Sequence, residues 1–582
     1  MKTLYNKIFS GLFAGVLVFT GLASCTEDHF DVRGDGAGSA ASLMDNIKSN
    51  KKLTKFKMIL DSTKVRRTDM DKYATISYSK LLESAQTFTV WAPVDGSYNA
   101  DSILELLKTP ENNRLVEIDF LRNHIARFNF PGTTPDIYNV TMLNQKINRY
   151  NAVDNTFKNA KVEAGEPIVS NNGSLHLLDK PANYAVNIYE FLKEDARLDS
   201  IKTTLMKYDT VMFSASSSVP GVVVDGKIQY VDSVFITYNN LLTGLGMYSA
   251  TNEDSLFVAV YPTNDAWNKY YASTLKKFNF LKKDVYYDRN DVLNIRNVNA
   301  DSLRDIVTKS VMMSTMFYSL YEQPGFDPKS ATVESVDDFV KNVADSLKST
   351  SYLAKAYKQP YLKDVFEGKK PVELSNGFAY VVDNYNFIPT KSWMTPATVS
   401  ASNSYNLEYH NLKLLSTAPE GTSYPLTAAN RNDSVKGAEK LESFCIFDPV
   451  SQLSNPLVSF KVNPFSTTYD IYAVFVPENI NSKNSKVTAL PNRFSVKLIT
   501  HYTEDGTAVY TTEKPVADVF ETDPTKVDSI LLYKDFKFPY SFTSGMASAV
   551  LEIEGKVTKV LEKRFNRPLY MNCIYMEPKD EE

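Results

Sequence analysis

The chain repeats itself, and that restricts its fold more than any single motif does. Leu43, Ile47, Leu53, Phe56 and Leu60 recur as Ile188, Leu192, Leu198, Ile201 and Leu205, at a constant offset of 145 (188 − 43). Their three- and four-residue steps are helix spacing, interrupted once, so each copy is expected to open with helices packed on a core. A second match sets Phe88-Thr-Val-Trp-Ala-Pro93-Val-Asp95-Gly-Ser-Tyr98 against Phe257-Val-Ala-Val-Tyr-Pro262-Thr-Asn264-Asp-Ala-Trp267. Here a short apolar strand ends at the proline. The polar residue after it is expected to cap the helix that follows, whose inner face carries the closing aromatic. A third match sets Asn172-Gly173-Ser-Leu-His-Leu-Leu-Asp179 against Asn376-Gly377-Phe-Ala-Tyr-Val-Val-Asp383. Asn-Gly before an alternating apolar run predicts a hairpin. The offset grows from 145 to 169 to 204, which places about 24 extra residues near 213–250 and about 35 near 322–372. Their Pro-Gly, Asp and Ser content predicts surface loops.

This order of opening helices, strand–turn–helix and closing strand resembles the fasciclin-like domain, in two tandem copies over residues 40–390. Leu121-Arg-Asn-His124-Ile resembles that family's second conserved box; the second copy has Val307 to Met316 there and lacks the Asn-His pair, which favours a structural role for His124. The resemblance implies a β-wedge with flanking helices. It also implies adhesion or extracellular protein contact rather than catalysis.

Beyond residue 395 the pattern changes. Leu457–Val462, Tyr469–Pro477, Ser495–Tyr502, Ser529–Tyr533, Ala549–Ile553 and Leu569–Tyr575 read as strands, and Asp505-Gly506 marks a hairpin turn. Short strands spaced by turns predict an antiparallel β-sandwich. The expected fold class is α+β: two fasciclin-like domains at 42–186 and 187–392, then a β-sandwich domain at 393–582. The length of 582 residues suits roughly three or four domains.

The amino terminus reads as an address. Lys2 and Lys7 precede an apolar run from Ile8 to Ala23, the layout of a signal peptide over residues 1–24. Leu22-Ala23-Ser24-Cys25 resembles the lipobox of bacterial lipoproteins, implying cleavage before Cys25 and a lipid on its thiol. Cys25 is therefore the expected lipidation site and the one functional residue named. Thr26-Glu27-Asp28 resembles a surface-export signal, implying an outer-membrane protein facing the cell exterior. Residues 25–41 read as a lipid-anchored flexible tether. Its Arg33-Gly34-Asp35 reads as a chance tripeptide.

Composition narrows the chemistry. A net charge of −4 gives no field for nucleic acid. The 5 histidines, His29, His124, His176, His410 and His501, lack metal-ligand spacing. No nucleophile elbow, phosphate loop or assignable acid–base pair is present, so no catalytic residue, metal or cofactor is expected and the ligand site stays unknown. Cys445 and Cys573 either form one disulfide or stay buried and reduced. Trp91, Trp267 and Trp393 are candidates to stack on a sugar, though repeat positions of the first two favour the core. An Asp-Ser/Thr-apolar or Asp-Ser-Thr motif starts at Asp61, Asp101, Asp199, Asp209, Asp232, Asp254, Asp301, Asp345, Asp433 and Asp528. It resembles a bacterial O-glycosylation acceptor and equally suits turns and caps.

Three functions stay open. The first is a non-catalytic adhesion or protein-interaction lipoprotein, its partner an outer-membrane or extracellular protein such as a TonB-dependent transporter with a SusD-like lid. The second is a glycan-binding lipoprotein that uses the sandwich. The third, least favoured, is a hydrolase.

Overall fold

The computed structural model describes residues 41–66, 73–163, 167–224, 227–287, 293–343, 346–354, 357–358, 362–402, 407–410, 423–425, 443–480, 488–503, 505–542 and 549–580. The architecture is mixed α and β with many sheets. Cys25, the export signal and Arg33-Gly34-Asp35 lie outside the described residues.

The two repeats share one frame. In the first, strand Phe88–Pro93 lies parallel to Gly173–Leu178 and antiparallel to Ile125–Arg127, and Ile168–Ser170 closes the sheet. In the second, Phe257–Pro262 lies parallel to Gly377–Val382 and antiparallel to Phe317–Ser319, with Val372–Leu374 at the edge. The parallel registers agree residue for residue: Phe88 faces Gly173 as Phe257 faces Gly377. Both central strands are buried along their whole length, which explains their unbroken apolar sequence. All ten aligned apolar positions of the opening helices are at most 1% exposed, as their spacing predicts.

The Asn-Gly pair explains more than a turn. Gly173 and Gly377 have φ of 142° and 156°, and a Cβ there would sit 1.7 and 2.3 Å from the carbonyl oxygens of Phe88 and Phe257. Glycine is needed because the neighbouring parallel strand passes too close. Asn172 Oδ1 accepts from the Leu43 N–H at 2.8 Å, and its Nδ2 donates to the Leu82 and Ser84 carbonyls. Asn376 repeats this with Ile188, Ala250 and Asn252. Each asparagine pins the opening segment to the sheet.

The polar residue after the proline departs from expectation. Asp95 accepts from the Lys55 N–H at 3.1 Å, and Asn264 from the Ser200 N–H at 2.8 Å. These are the second residues of helices Thr54–Ser62 and Asp199–Met206. Asp95 and Asn264 therefore cap the earlier helix, not the one that follows. Both earlier helices lack a side-chain cap of their own at the flanking leucine, so a distant acceptor satisfies the free N–H group.

The insertions also differ from expectation. The first is a β-ribbon, Asp209–Val224 paired with Lys227–Asn239, where the first repeat has only Lys64–Arg66 and Tyr73–Ser77. The second is split. At strands Ile125–Arg127 and Phe317–Ser319 the offset is already 192 (319 − 127). Most of the extra length therefore lies before residue 317, in the hairpin Lys283–Tyr287/Leu293–Asn297 and longer helices. The second copy lacks the Asn-His marker that would have located this step.

Among the described residues, the carboxy-terminal region forms two six-stranded antiparallel sheets. Leu569–Pro578 and Thr468–Phe475 are central in one, Ala549–Gly555 and Arg493–Tyr502 in the other. Side chains of both meet in one core, including Phe460, Ile471, Leu498, Leu532 and Ile553. Cys445 and Cys573 are buried and unbridged. A register shift at Asn572 separates them: Cys445 lies in the core between the sheets, while Cys573 joins an outer cluster with Phe444 and Tyr575.

Neighbouring units pack closely. The buried Lys146 ammonium of the first repeat pairs with Glu190 at 2.5 Å and Glu253 at 2.7 Å from the second. Phe278 and Trp393 pack on Phe465 at the junction with the sandwich.

Candidate functional site

The side chains singled out for chemistry lie mostly in the core. Trp91 stacks on Phe157 at 4.5 Å and on His176 at 5.4 Å. Trp267 is 4% exposed, and Trp393 donates from Nε1 to the Tyr270 hydroxyl at 3.1 Å. All three indoles are at most 4% exposed, and of these Trp267 reaches the lining of an open cleft. His124 is fully buried; Nδ1 faces the Phe120 carbonyl at 2.7 Å, and Nε2 accepts from the Ala182 N–H at 2.9 Å. That pattern fixes a neutral ring, and burial pushes its pKa down to about 4. Its role is structural. The Asp-Ser motifs divide by position. Ser62, Ser102, Thr210 and Ser302 are exposed, Ser233 is buried, and the hydroxyl of Ser529 is buried. Ser102 and Ser302 sit in first helical turns capped by Asn99 and Asn299. The motif at Asp433 lies outside the described residues.

Helices Asp199–Met206, Asn264–Leu275 and Ala300–Met313 border an open cleft of 510 Å³, lined by residues including Asp199, Tyr271, Asp305 and Lys309. Asp305 accepts from the Tyr271 hydroxyl at 2.7 Å and pairs with Lys309 at 2.9 Å; Asp199 pairs with Lys202. Burial and Asp305 raise the Tyr271 pKa to about 12. The cleft mixes the rings of Trp267 and Tyr271 with charges that are matched locally. Among the described residues, no three His, Cys, Asp or Glu side chains gather as metal ligands. No helix among them is long and apolar enough to cross a membrane.

The inserted ribbon is the feature with unspent binding capacity. Val211, Met212 and Phe213 are 48, 54 and 39% exposed, and Tyr238 on the partner strand is 47% exposed. Successive strand residues point to opposite faces, so both faces of the ribbon are apolar. Isolated two-stranded ribbons are marginal in water, and this one is held at two places. At its base Asn239 Nδ2 donates to Asp209 at 2.9 Å, and the Tyr189 hydroxyl donates to Asp209 at 2.5 Å. Farther out, the serine run Ser214–Ser218 bulges out of register and turns onto the first repeat. There Arg127 donates to the Ser216 and Ser218 carbonyls, Gln86 donates to the Pro220 carbonyl, and Val219 enters the first repeat's core, 0% exposed. Residues 211–213 are thus presented between two anchored ends. The serine run and Val219 carried no motif; the β-branched and aromatic residues flanking them were the available strand signal.

No family model and no curated protein matches the chain. Among solved structures, a FAS1 domain pair from the insect cell adhesion molecule fasciclin I is similar over 51% of this chain and 87% of its own, at 12% identity and a TM-score of 0.19. A family 35 carbohydrate-binding module from Clostridium thermocellum is similar over 32% of this chain and 99% of its own, at 9% identity and a TM-score of 0.16. A CBM35 from Paenibacillus barcinonensis covers 31% of this chain and 99% of its own, at 10% identity and a TM-score of 0.15. Likenesses this shallow decide neither fold nor function, which rest on the strand order and side chains described above.

Proposed function

We propose that this chain is a non-catalytic adhesion or protein-contact lipoprotein. Two fasciclin-like repeats and a β-sandwich form its body, and the ribbon of the second repeat is its contact surface. In this reading lipid on Cys25 holds it at the outer membrane, facing outward, and its partner is another outer-membrane or extracellular protein. A TonB-dependent transporter with its SusD-like lid is one such partner. The observation that carries the reading is the row Val211-Met212-Phe213, exposed yet held between two anchored ends. Apolar residues kept in water on a preorganised element are what a protein interface uses. Glycan binding by the sandwich has less behind it: among its residues whose side chains are described, Tyr510 is the sole exposed aromatic.

Native membranes provide the test. The parent chain is expected to co-purify with a protein partner in mild detergent without crosslinking. The variant Val211→Ser/Met212→Ser/Phe213→Ser, still folded by thermal melt, is expected to come out alone. Equal recovery of the partner with both chains, or a parent that is always a lone monomer, overturns the reading.

A further inference from the structure

One end of the sandwich has a surface of its own. The two most exposed large aliphatic side chains among the described residues are Val560, at 85%, and Leu453, at 82%. Leu453 lies in the loop 448–456, which also exposes Val450, and Val560 lies in the loop 556–568. Both loops leave the same end of the sheet, because Leu457–Val462 runs antiparallel to Ala549–Gly555 with Leu457 opposite Glu554. They are stapled together there. Arg567 donates to the Ser454 carbonyl at 3.1 Å and to Asn455 Oδ1 at 3.3 Å, and Asn455 Oδ1 also accepts from the Val557 N–H. Contacts with the second repeat come from the other end of these strands, through Ser466 and Ser541. The tip therefore points away from that junction.

Exposed cations flank Val560. Lys559, Lys563 and Arg564 are exposed beside Val560. Of the neighbouring acids, Glu562 pairs with Arg567 at 2.6 Å and Glu554 with Lys556 at 2.5 Å, Glu478 accepts from the Asn566 amide at 2.8 Å, and Asp448 lies at the start of the Leu453 loop.

We propose that this tip docks on an anionic lipid surface. Leu453 and Val560 enter the boundary between headgroups and acyl chains, and Lys559, Lys563 and Arg564 meet the lipid phosphates. Two features select this occupant. The apolar groups are aliphatic and stand out on loop tips, a shape that a soft apolar phase accepts without a matching cavity. Their flanking cations are the charges that anionic headgroups attract. The ribbon plays no part in this contact, so it stands independently of the protein-contact reading.

Co-sedimentation with vesicles tests it, using the chain from Thr26 onward, which keeps every described residue. Binding is expected to vesicles of phosphatidylcholine with phosphatidylglycerol, and to be weak with phosphatidylcholine alone. Leu453→Ser/Val560→Ser is expected to lower partitioning at least roughly tenfold. Lys559→Glu/Lys563→Glu is expected to remove the preference for anionic vesicles, a loss of about tenfold or more. Both pairs lie on exposed loops, and unchanged melting confirms folding. Equal sedimentation of parent and serine pair overturns the proposal, as does absence of binding by the parent. It also falls if the serine pair instead abolishes self-association in the ultracentrifuge, or loses a protein captured from detergent extracts while vesicles bind neither chain.

Discussion

The two repeats keep the same backbone geometry and diverge in what they attach to it. The retained residues hold main chain in place: Asn172 and Asn376, Gly173 and Gly377, Asp95 and Asn264. The divergent ones fill the flanks. The first repeat covers one side of its sheet with a four-strand meander over residues 137–161, around a second core holding Trp91, Tyr150 and Phe157. In the second, Val260 stands at the Trp91 position, helix Val333–Asn342 packs nearby, and one continuous core results. The sheet therefore tolerates exchange of whole flanking elements, so long as two parallel strands can approach at the glycine and the opening helix stays pinned. The ribbon belongs to these exchangeable flanks.

The glycines should matter most. Gly173→Ala and Gly377→Ala each place a methyl against a backbone carbonyl that cannot move aside. Each is expected to cost more than about 4 kcal/mol or to prevent folding of that repeat. Gly173→Ala should be the worse, since its Cβ would come closer, 1.7 against 2.3 Å. Hydrogen exchange resolved by segment reads the two repeats separately; comparable protection in variant and parent would show that close strand approach is not the shared constraint.

A pH effect comes next, and it should distinguish the copies. The first repeat buries His124 and His176, and burial pushes both pKa values down to about 4. The second repeat has Met316 and Tyr380 at these places. An unfolded histidine titrates near 6.5, so the unfolded chain binds more protons between pH 6.5 and 4. Each histidine then contributes stability fully present above pH 6.5 and lost as pH falls toward 4, on the order of 3 kcal/mol. Asp119 works the other way. Burial and the nearby Glu194 and Glu190 raise its pKa to about 6, so its folded site is penalised as pH rises from 4 to 6. Two histidines against one half-exposed carboxyl leave a net loss on acidification. Exchange rates corrected for pH are expected to show strands Phe88–Pro93 and Gly173–Leu178 losing protection between pH 7 and 4.5, while Phe257–Pro262 and Gly377–Val382 lose less. Parallel loss in both repeats would remove the histidines as its cause.

Much of the shared frame could be read from sequence because it is written as spacing. The five-residue helix pattern, the strand ending in proline and the Asn-Gly hairpin each carry a period or a fixed turn chemistry, and the sandwich strands alternate between strong turn signals. Long-range tasks were not legible. Asp95 has the composition of a local cap, and only the fold shows that its N–H donor lies 40 residues back. The ribbon hid behind Pro220, Gly221 and a serine run, which read as loop until pairing with Lys227–Asn239 is seen. Leu453 and Val560 carry no pattern at all: an isolated aliphatic residue is core or surface depending on what packs over it, and that is decided by strands distant in sequence. For the site named from sequence, Cys25, the chemistry is local to four residues, which is why it could be proposed without a fold.

The subtlest effect is expected where the repeats touch. Val219 belongs to the second repeat by sequence and to the first repeat's core by packing. Val219→Ala removes two buried methyl groups and is expected to cost about 2 kcal/mol. The question is where that loss appears. If the ribbon is a strap, protection should fall in first-repeat elements that share the cluster, such as helix Tyr78–Leu82, with little change in Phe257–Pro262. Loss confined to the second repeat would mean that Val219 merely rests on its neighbour. Loss in both would make the pair one cooperative unit, held jointly by the ribbon and by Lys146 between Glu190 and Glu253. Only the first outcome leaves each repeat as a separately stable copy of the common frame, joined by an element that belongs to the second.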